Sequence, residues 1–140
     1  MGEESKMRIT NQSEYAIRAV LEIAKNPENI YTPNDLYEKI SVPKIFLAKI
    51  LQKLAKKGIL SSTRGASGGF KLKRNLSELT ILNIIEAVDG EIALNKCLID
   101  GYDCSREPRC PIHPIWAEAQ DNLKRILSQK SFDKIIEEIK

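Results

Sequence analysis

One change of period constrains this chain more than any other feature. Between residues 44 and 57 the apolar positions Leu47, Ile50, Leu51 and Leu54 fall at i, i+3, i+4 and i+7, which predicts a helix with one buried face. Gly58 closes it, and residues 59–64 and 70–73 then read as two strands joined by Gly65-Ala66-Ser67-Gly68-Gly69. Three glycines in five residues suit a hairpin tip that needs positive φ angles or close approach to another surface. Just upstream, Thr32-Pro33 reads as an N-cap followed by proline at the first helical position, opening a short helix from 34 to 40 that stops at Ser41-Val42-Pro43. Two helices across a tight turn and then a hairpin make a winged helix-turn-helix. The alternative is the same pair of motifs in an unrelated α+β domain.

Charge discriminates between the two. Residues 41–75 contain no Asp or Glu and nine basic residues: Lys44, Lys49, Lys53, Lys56, Lys57, Arg64, Lys71, Lys73 and Arg74. The net charge of the 140-residue chain is only +3, so the remainder carries −6. A basic segment on an acidic body attracts a polyanion while discouraging indiscriminate adhesion, and nucleic acid is the expected partner. Nothing approaches the roughly 18 apolar residues needed to cross a bilayer, and the polar first residues lack a secretory signal, so a cytoplasmic protein without a membrane role is expected.

The winged motif predicts its own contacts. Lys44, Ile45, Ala48 and Lys49 at the start of the third helix are candidate base readers. Lys44 and Lys49 could reach guanine or phosphate, whereas Ile45 and Ala48 could touch only thymine methyls. Lys53 continues the basic face. Arg64, at the base of the tip, suits a narrow minor groove, and the backbone at Gly65, Ser67, Gly68 and Gly69 would approach the sugar–phosphate rail.

Around this motif, a first helix is expected from about Asn11 or Ser13 to Asn26, and a fourth from Thr80 to Asp89-Gly90. A long helix opening at Pro114 carries Trp116, Ala119, Leu123 and Leu127, and a short one spans 131–140. The expected fold class is mainly α with a small β-hairpin wing. It divides into a DNA-binding domain (7–90), a cysteine-bearing loop (91–113), and a dimerisation helix with a C-terminal helix (114–140). Trp116, Ala119, Leu123 and Leu127 are the candidate pairing face.

The loop holds all three cysteines and the only histidine. Cys97, Cys104 and Cys110 are separated by six and five residues, and His113 follows Cys110 with Cys-x-x-His spacing. Three thiolates suit an iron–sulfur cluster, and with the imidazole they suit a tetrahedral zinc site equally well. There is no second chemical constellation of a catalytic kind, so an enzyme is not expected.

Several segments resemble one family: Met7-Arg8-Ile9-Thr10, Glu14-Tyr15-Ala16, Phe46-Leu47 through Leu54, Lys57-Gly58-Ile59-Leu60, and Ser62-Thr63-Arg64-Gly65-Ala66-Ser67-Gly68-Gly69-Phe70. Together with Cys110-Pro-Ile-His113-Pro-Ile-Trp116 they are similar to the Rrf-two family of bacterial transcription regulators, in its iron–sulfur branch of IscR-, NsrR- and RirA-like members. The resemblance spans about residues 7–140. It implies a homodimer paired through the long helix, binding double-stranded promoter DNA under control of an iron–sulfur cluster, [2Fe–2S] rather than [4Fe–4S]. It carries Cys97, Cys104 and Cys110 over as ligands, with His113 as the fourth in the IscR-like pattern or Glu14, donated by the partner subunit, in the NsrR-like one. Two departures stand out: the acidic reader of IscR-like members falls on Ala48, implying a different operator, and the first cysteine gap is one residue longer.

Overall fold

Threonines begin three of the helices. In the computed structural model, which describes residues 8–99 and 110–139, Thr10 Oγ1 accepts from the Ser13 amide at the head of α1 (Asn11–Lys25). Thr32 and Asp35 form a reciprocal capping box on α2 (Pro33–Ile40). Thr80 and Asn83 do the same on α4 (Ile81–Asp89). Each side-chain oxygen satisfies an amide that the helix itself leaves unpaired. At the end of α2, Ser41 adopts a left-handed backbone (φ 57°) that turns the chain through Val42-Pro43 into α3 (Lys44–Lys56).

The wing is tighter than the hydrophobic pattern suggests. β1 (Leu60–Thr63) pairs antiparallel with β2 (Gly69–Leu72), in register from Leu60↔Leu72 to Thr63↔Gly69. Ile59, expected in the first strand, instead lies in the turn that follows α3: its amide donates to the Leu54 carbonyl at 3.0 Å, and its own carbonyl accepts from the Lys73 and Arg74 amides. Tyr31 adds a bridge that the pattern does not foretell, exchanging N–H···O bonds of 2.7 Å in both directions with Phe70. The wing is thereby pinned to the chain just before α2.

Two tip glycines have intramolecular reasons. A Cβ at Gly68 would lie 2.1 Å from the Thr63 carbonyl oxygen, and one at Gly69 (φ +156°) 2.6 Å from that of Tyr31. Both distances are far inside van der Waals contact, so the hairpin needs these glycines before any ligand arrives.

After α4 come a single 3₁₀ turn (Lys96–Leu98), α5 (His113–Leu127) and α6 (Phe132–Glu138). α5 starts one residue earlier than expected, with Pro114 in its first turn, where a missing N–H costs nothing. The core joins Ala16, Ala19, Val20 and Ile23 of α1 to Leu36, Leu47, Leu51, Leu54 and Ile84. α6 belongs to this core as well: Phe132 (1% exposed) and Ile136 are buried there, and the Phe132 amide donates to the Leu79 carbonyl at 2.8 Å. Residues 114–140 therefore split in two, because α5 has no buried residue while α6 returns to α1. α5 is held by polar links: the Leu94 amide donates to Gln120 Oε1 at 2.8 Å, and Lys124 pairs with Glu91 and Glu86 at 3.3 and 3.9 Å. Among the described residues, no helix is long and apolar enough to cross a membrane.

Candidate nucleic-acid interface and cysteine loop

α3 buries Leu47, Ile50, Leu51 and Leu54, which leaves Ile45, Lys49, Gln52 and Lys56 on the outer face. Ile45 is 70% exposed, the highest value among the exposed large hydrophobic residues described. Ala48 is half-buried beside it. Lys44 is exposed but tethered: its Nζ donates to Asn34 Oδ1 at 2.8 Å and lies 5.7 Å from the Tyr37 ring centre, tying the two helices of the motif together.

Lys53 is turned another way. Its ammonium donates to Gln12 Oε1 at 2.8 Å and to the Val88 carbonyl at 3.4 Å, on the α1 and α4 side of the helix. The basic row predicted from spacing thus divides, with Lys49 and Lys56 facing outward and Lys53 linking elements of the body. Gln52 and Lys56, which share the helical spacing of Lys49 and Lys53, line a cleft with Ser62, Thr63 and Arg64 of the wing. The signal was present in the spacing, since both residues continue the Ile45 face by two and three turns. Arg64, Gly65 and Ser67 are exposed at the tip, with Gly68 and Gly69 half-buried behind them.

A second polar cluster sits where α4 ends. Asp89 accepts from Thr10 Oγ1 at 2.5 Å, Ser13 Oγ at 2.5 Å and Gln12 Nε2 at 3.2 Å. Burial pushes its carboxyl up, but the hydrogen bonds from Ser13, Thr10 and Gln12, aided by the Lys53 charge, outweigh that and hold it below its usual value. Through Gln12 the cluster reaches α3, so the end of α4 and α3 share one network.

Of the expected ligands, Cys97 lies in the 3₁₀ turn, which packs against α5, and Cys110 precedes that helix; both are half-buried free thiols. His113 is the first residue of α5. Cys104 lies outside the described residues, and among those described no cluster of three metal-binding side chains forms. Glu14 is on the first turn of α1, paired at 2.9 Å with Arg18, whose Nη1 also donates to the Ile40 carbonyl. Trp116, Leu123 and Leu127 are half-buried on α5, and Ala119 shares an exposed strip with Ile115 (60%) and Ile126 (58%).

The helix-turn-helix, its pinned wing and the outward cationic face together define a winged-helix transcription regulator that binds DNA. The chain belongs to the Rrf2 family, described as an iron-dependent transcriptional regulator, which it matches over residues 9–138. It is 30% identical over 132 residues to the HTH-type transcriptional regulator IscR of Photorhabdus laumondii, covering 93% of this chain and 79% of that protein. Its fold is similar to that of T. potens IscR, with a TM-score of 0.74 and 18% identity over 98% of this chain and 91% of the other. It is also similar to CymR, the global cysteine regulator of B. subtilis, with a TM-score of 0.72 and 22% identity over 94% and 98% of the two chains. The family is one of transcription regulators, not enzymes.

Proposed function

We propose that the chain is a homodimeric regulator of the cytoplasm whose hold on promoter DNA is set by an iron–sulfur cluster bound at Cys97, Cys104, Cys110 and His113. The observation that carries this reading is the packing of the Cys97 turn against α5, the helix that His113 opens three residues after Cys110. Two half-buried thiols outside any disulfide and an imidazole on the adjoining helix are a donor set that fits such a group. The histidine favours [2Fe–2S] over [4Fe–4S], since imidazole ligation accompanies [2Fe–2S] centres of the Rieske kind. When bound, the cluster would supply a centre sensitive to redox state, nitric oxide or iron supply. Glu14 is the alternative fourth ligand, contributed across the dimer, and would have to give up Arg18 to serve.

The protein's own groups do the rest. α3 enters the major groove through Ile45, Ala48 and Lys49, while Lys56 and the wing cleft follow the phosphate rail and Arg64 reaches the minor groove. Lys44 offers its remaining ammonium protons to phosphate, and the backbone of Gly65, Ser67, Gly68 and Gly69 lies along the sugar edge. A helix with no fully buried residue gains little from tertiary packing, and its exposed Ile115, Ala119 and Ile126 support a second copy covering them beside the half-buried Trp116, Leu123 and Leu127. Residues 7–90, with α6 returned to them, then form the DNA-binding body, 91–113 the sensor loop and α5 the dimer arm.

Anaerobic purification followed by absorption spectroscopy, iron and sulfide analysis and promoter binding tests the whole reading. A coloured protein whose DNA affinity changes on cluster loss is expected. A colourless protein with stoichiometric zinc would replace it with a zinc-stabilised DNA-binding protein that senses nothing. His113→Ala and Glu14→Ala, compared by cluster spectrum, identify the fourth ligand.

A further inference from the structure

We propose that this regulator selects its operator by apolar contact with thymine methyl groups, made by Ile45 and Ala48 at the leading edge of α3. It therefore requires A·T pairs at the base steps those two side chains face. The inference rests on the docking of α3 in the major groove proposed above and specifies which sequences that groove must carry.

Ile45, Ala48, Lys49 and Gln52 follow one another at i, i+3, i+4 and i+7, so they form a single outward strip. The first turn of a recognition helix is the part that meets base edges. In α3 the first turn presents Ile45, whose 70% exposure has no packing explanation, because Leu47, Ile50 and Leu51 already fill the inner face. The surroundings say what covers it. Lys49 lies within this strip and Lys56 continues it, and no acidic residue occurs between positions 41 and 75. An occupant of this face is a polyanion with apolar points on it, which is what a major groove bearing thymine methyls offers.

The polar share of this edge is reduced by geometry. Lys44, the one charged residue of the first turn, is drawn back to Asn34 and the Tyr37 ring of α2. What remains at this edge is Ile45, Ala48 and Lys49, of which the first two carry no side-chain donor or acceptor. Set against a G·C pair, they would strip water from guanine O6 and N7 and cytosine N4 and return no hydrogen bond. Set against an A·T pair, they leave adenine N6 and N7 and thymine O4 just as unanswered, but they bury the thymine C5 methyl group, an apolar gain that a G·C pair does not offer. Lys49 and Gln52, farther along the strip, supply the polar contacts, with Gln52 matched to adenine N6 and N7.

The test uses the full-length protein, as purified anaerobically, and randomised DNA duplexes. Selection is expected to fix thymine at two positions in each half-site. Each of these thymines is then replaced by uracil, which deletes only the methyl group. Wild-type affinity is expected to fall about three- to fivefold per uracil. Ile45→Ala should abolish the thymine–uracil difference at one position, whereas Lys49→Ala should weaken both duplexes alike. Circular dichroism checks that each variant is folded. Equal binding of thymine and uracil duplexes by the wild type, selection of G·C at these positions, or undiminished discrimination by Ile45→Ala would overturn the proposal. A selection that enriches no duplex would instead remove the groove docking beneath it, and the proposal with it.

Discussion

The Ser13 hydroxyl donates to the Asp89 carboxylate at 2.5 Å, joining the first turn of α1 to the last residue of α4 across 76 positions of chain. Thr10 and Gln12 donate to the same carboxylate, and the Gln12 side chain accepts from Lys53 of α3. Three helices thus meet on one exposed acid, and its titration is readable in the stability of the whole domain.

Because the folded state lowers the Asp89 pKa, its contribution is fully present above the unfolded carboxyl value of about 3.9 and is lost as pH falls through the folded value. Asp89→Asn should cost about 1–2 kcal/mol at neutral pH, toward the low end because the group is exposed, and should flatten the decline of stability in acid. Urea titrations at pH 7 and pH 3 check both; equal slopes with pH for variant and wild type would count against the role of the carboxylate.

Gly69→Ala places a methyl 2.6 Å from the Tyr31 carbonyl oxygen at φ +156°, so the wing must detach from the chain before α2. A loss of about 2–3 kcal/mol is expected. Hydrogen exchange at the Tyr31 and Phe70 amides, which bond one another's carbonyls, should accelerate in the variant.

Arg64→Ala removes an exposed side chain at the wing and leaves the core untouched. Thermal stability and the visible spectrum should stay as they are, while DNA binding weakens by about 1–3 kcal/mol. Unchanged affinity would take the wing arginine out of the interface.

Ile115→Glu and Ile126→Glu put charge on the uncovered strip of α5, whereas Phe132→Ala empties a position only 1% exposed. Sedimentation should show the first pair as folded monomers. Phe132→Ala should lose about 3–5 kcal/mol of stability at any protein concentration. Dimers that survive both glutamates would require a different pairing face.

These contrasts also explain what the sequence revealed. The register of α3 was legible because its apolar and basic residues follow the helical period on opposite sides, and the hairpin was legible from its glycines. The orientation of Lys53 was not, since it sits at the edge of the basic face and its partner Gln12 is 41 residues away. The Tyr31–Phe70 bridge joins backbone to backbone and so leaves no side-chain pattern to read. Phe132 and Ile136 announce an amphipathic helix but give no address, and only α1 and the Leu79 carbonyl show that the helix belongs to the core. Cys97 and His113 were legible as ligand types; that the Cys97 turn packs on the helix His113 begins was not.

The return of α6 to α1 has a consequence for how the protein is made. A ribosome releases α1 long before α6, yet Phe132 and Ile136 close the surface that Ala16, Ala19 and Val20 help to build. With contacts so distant in sequence, this part of the core stays open to solvent during synthesis until α6 has emerged. A message cut short after α3 and the wing would therefore yield a chain whose α1 surface lacks the cover of Phe132 and Ile136.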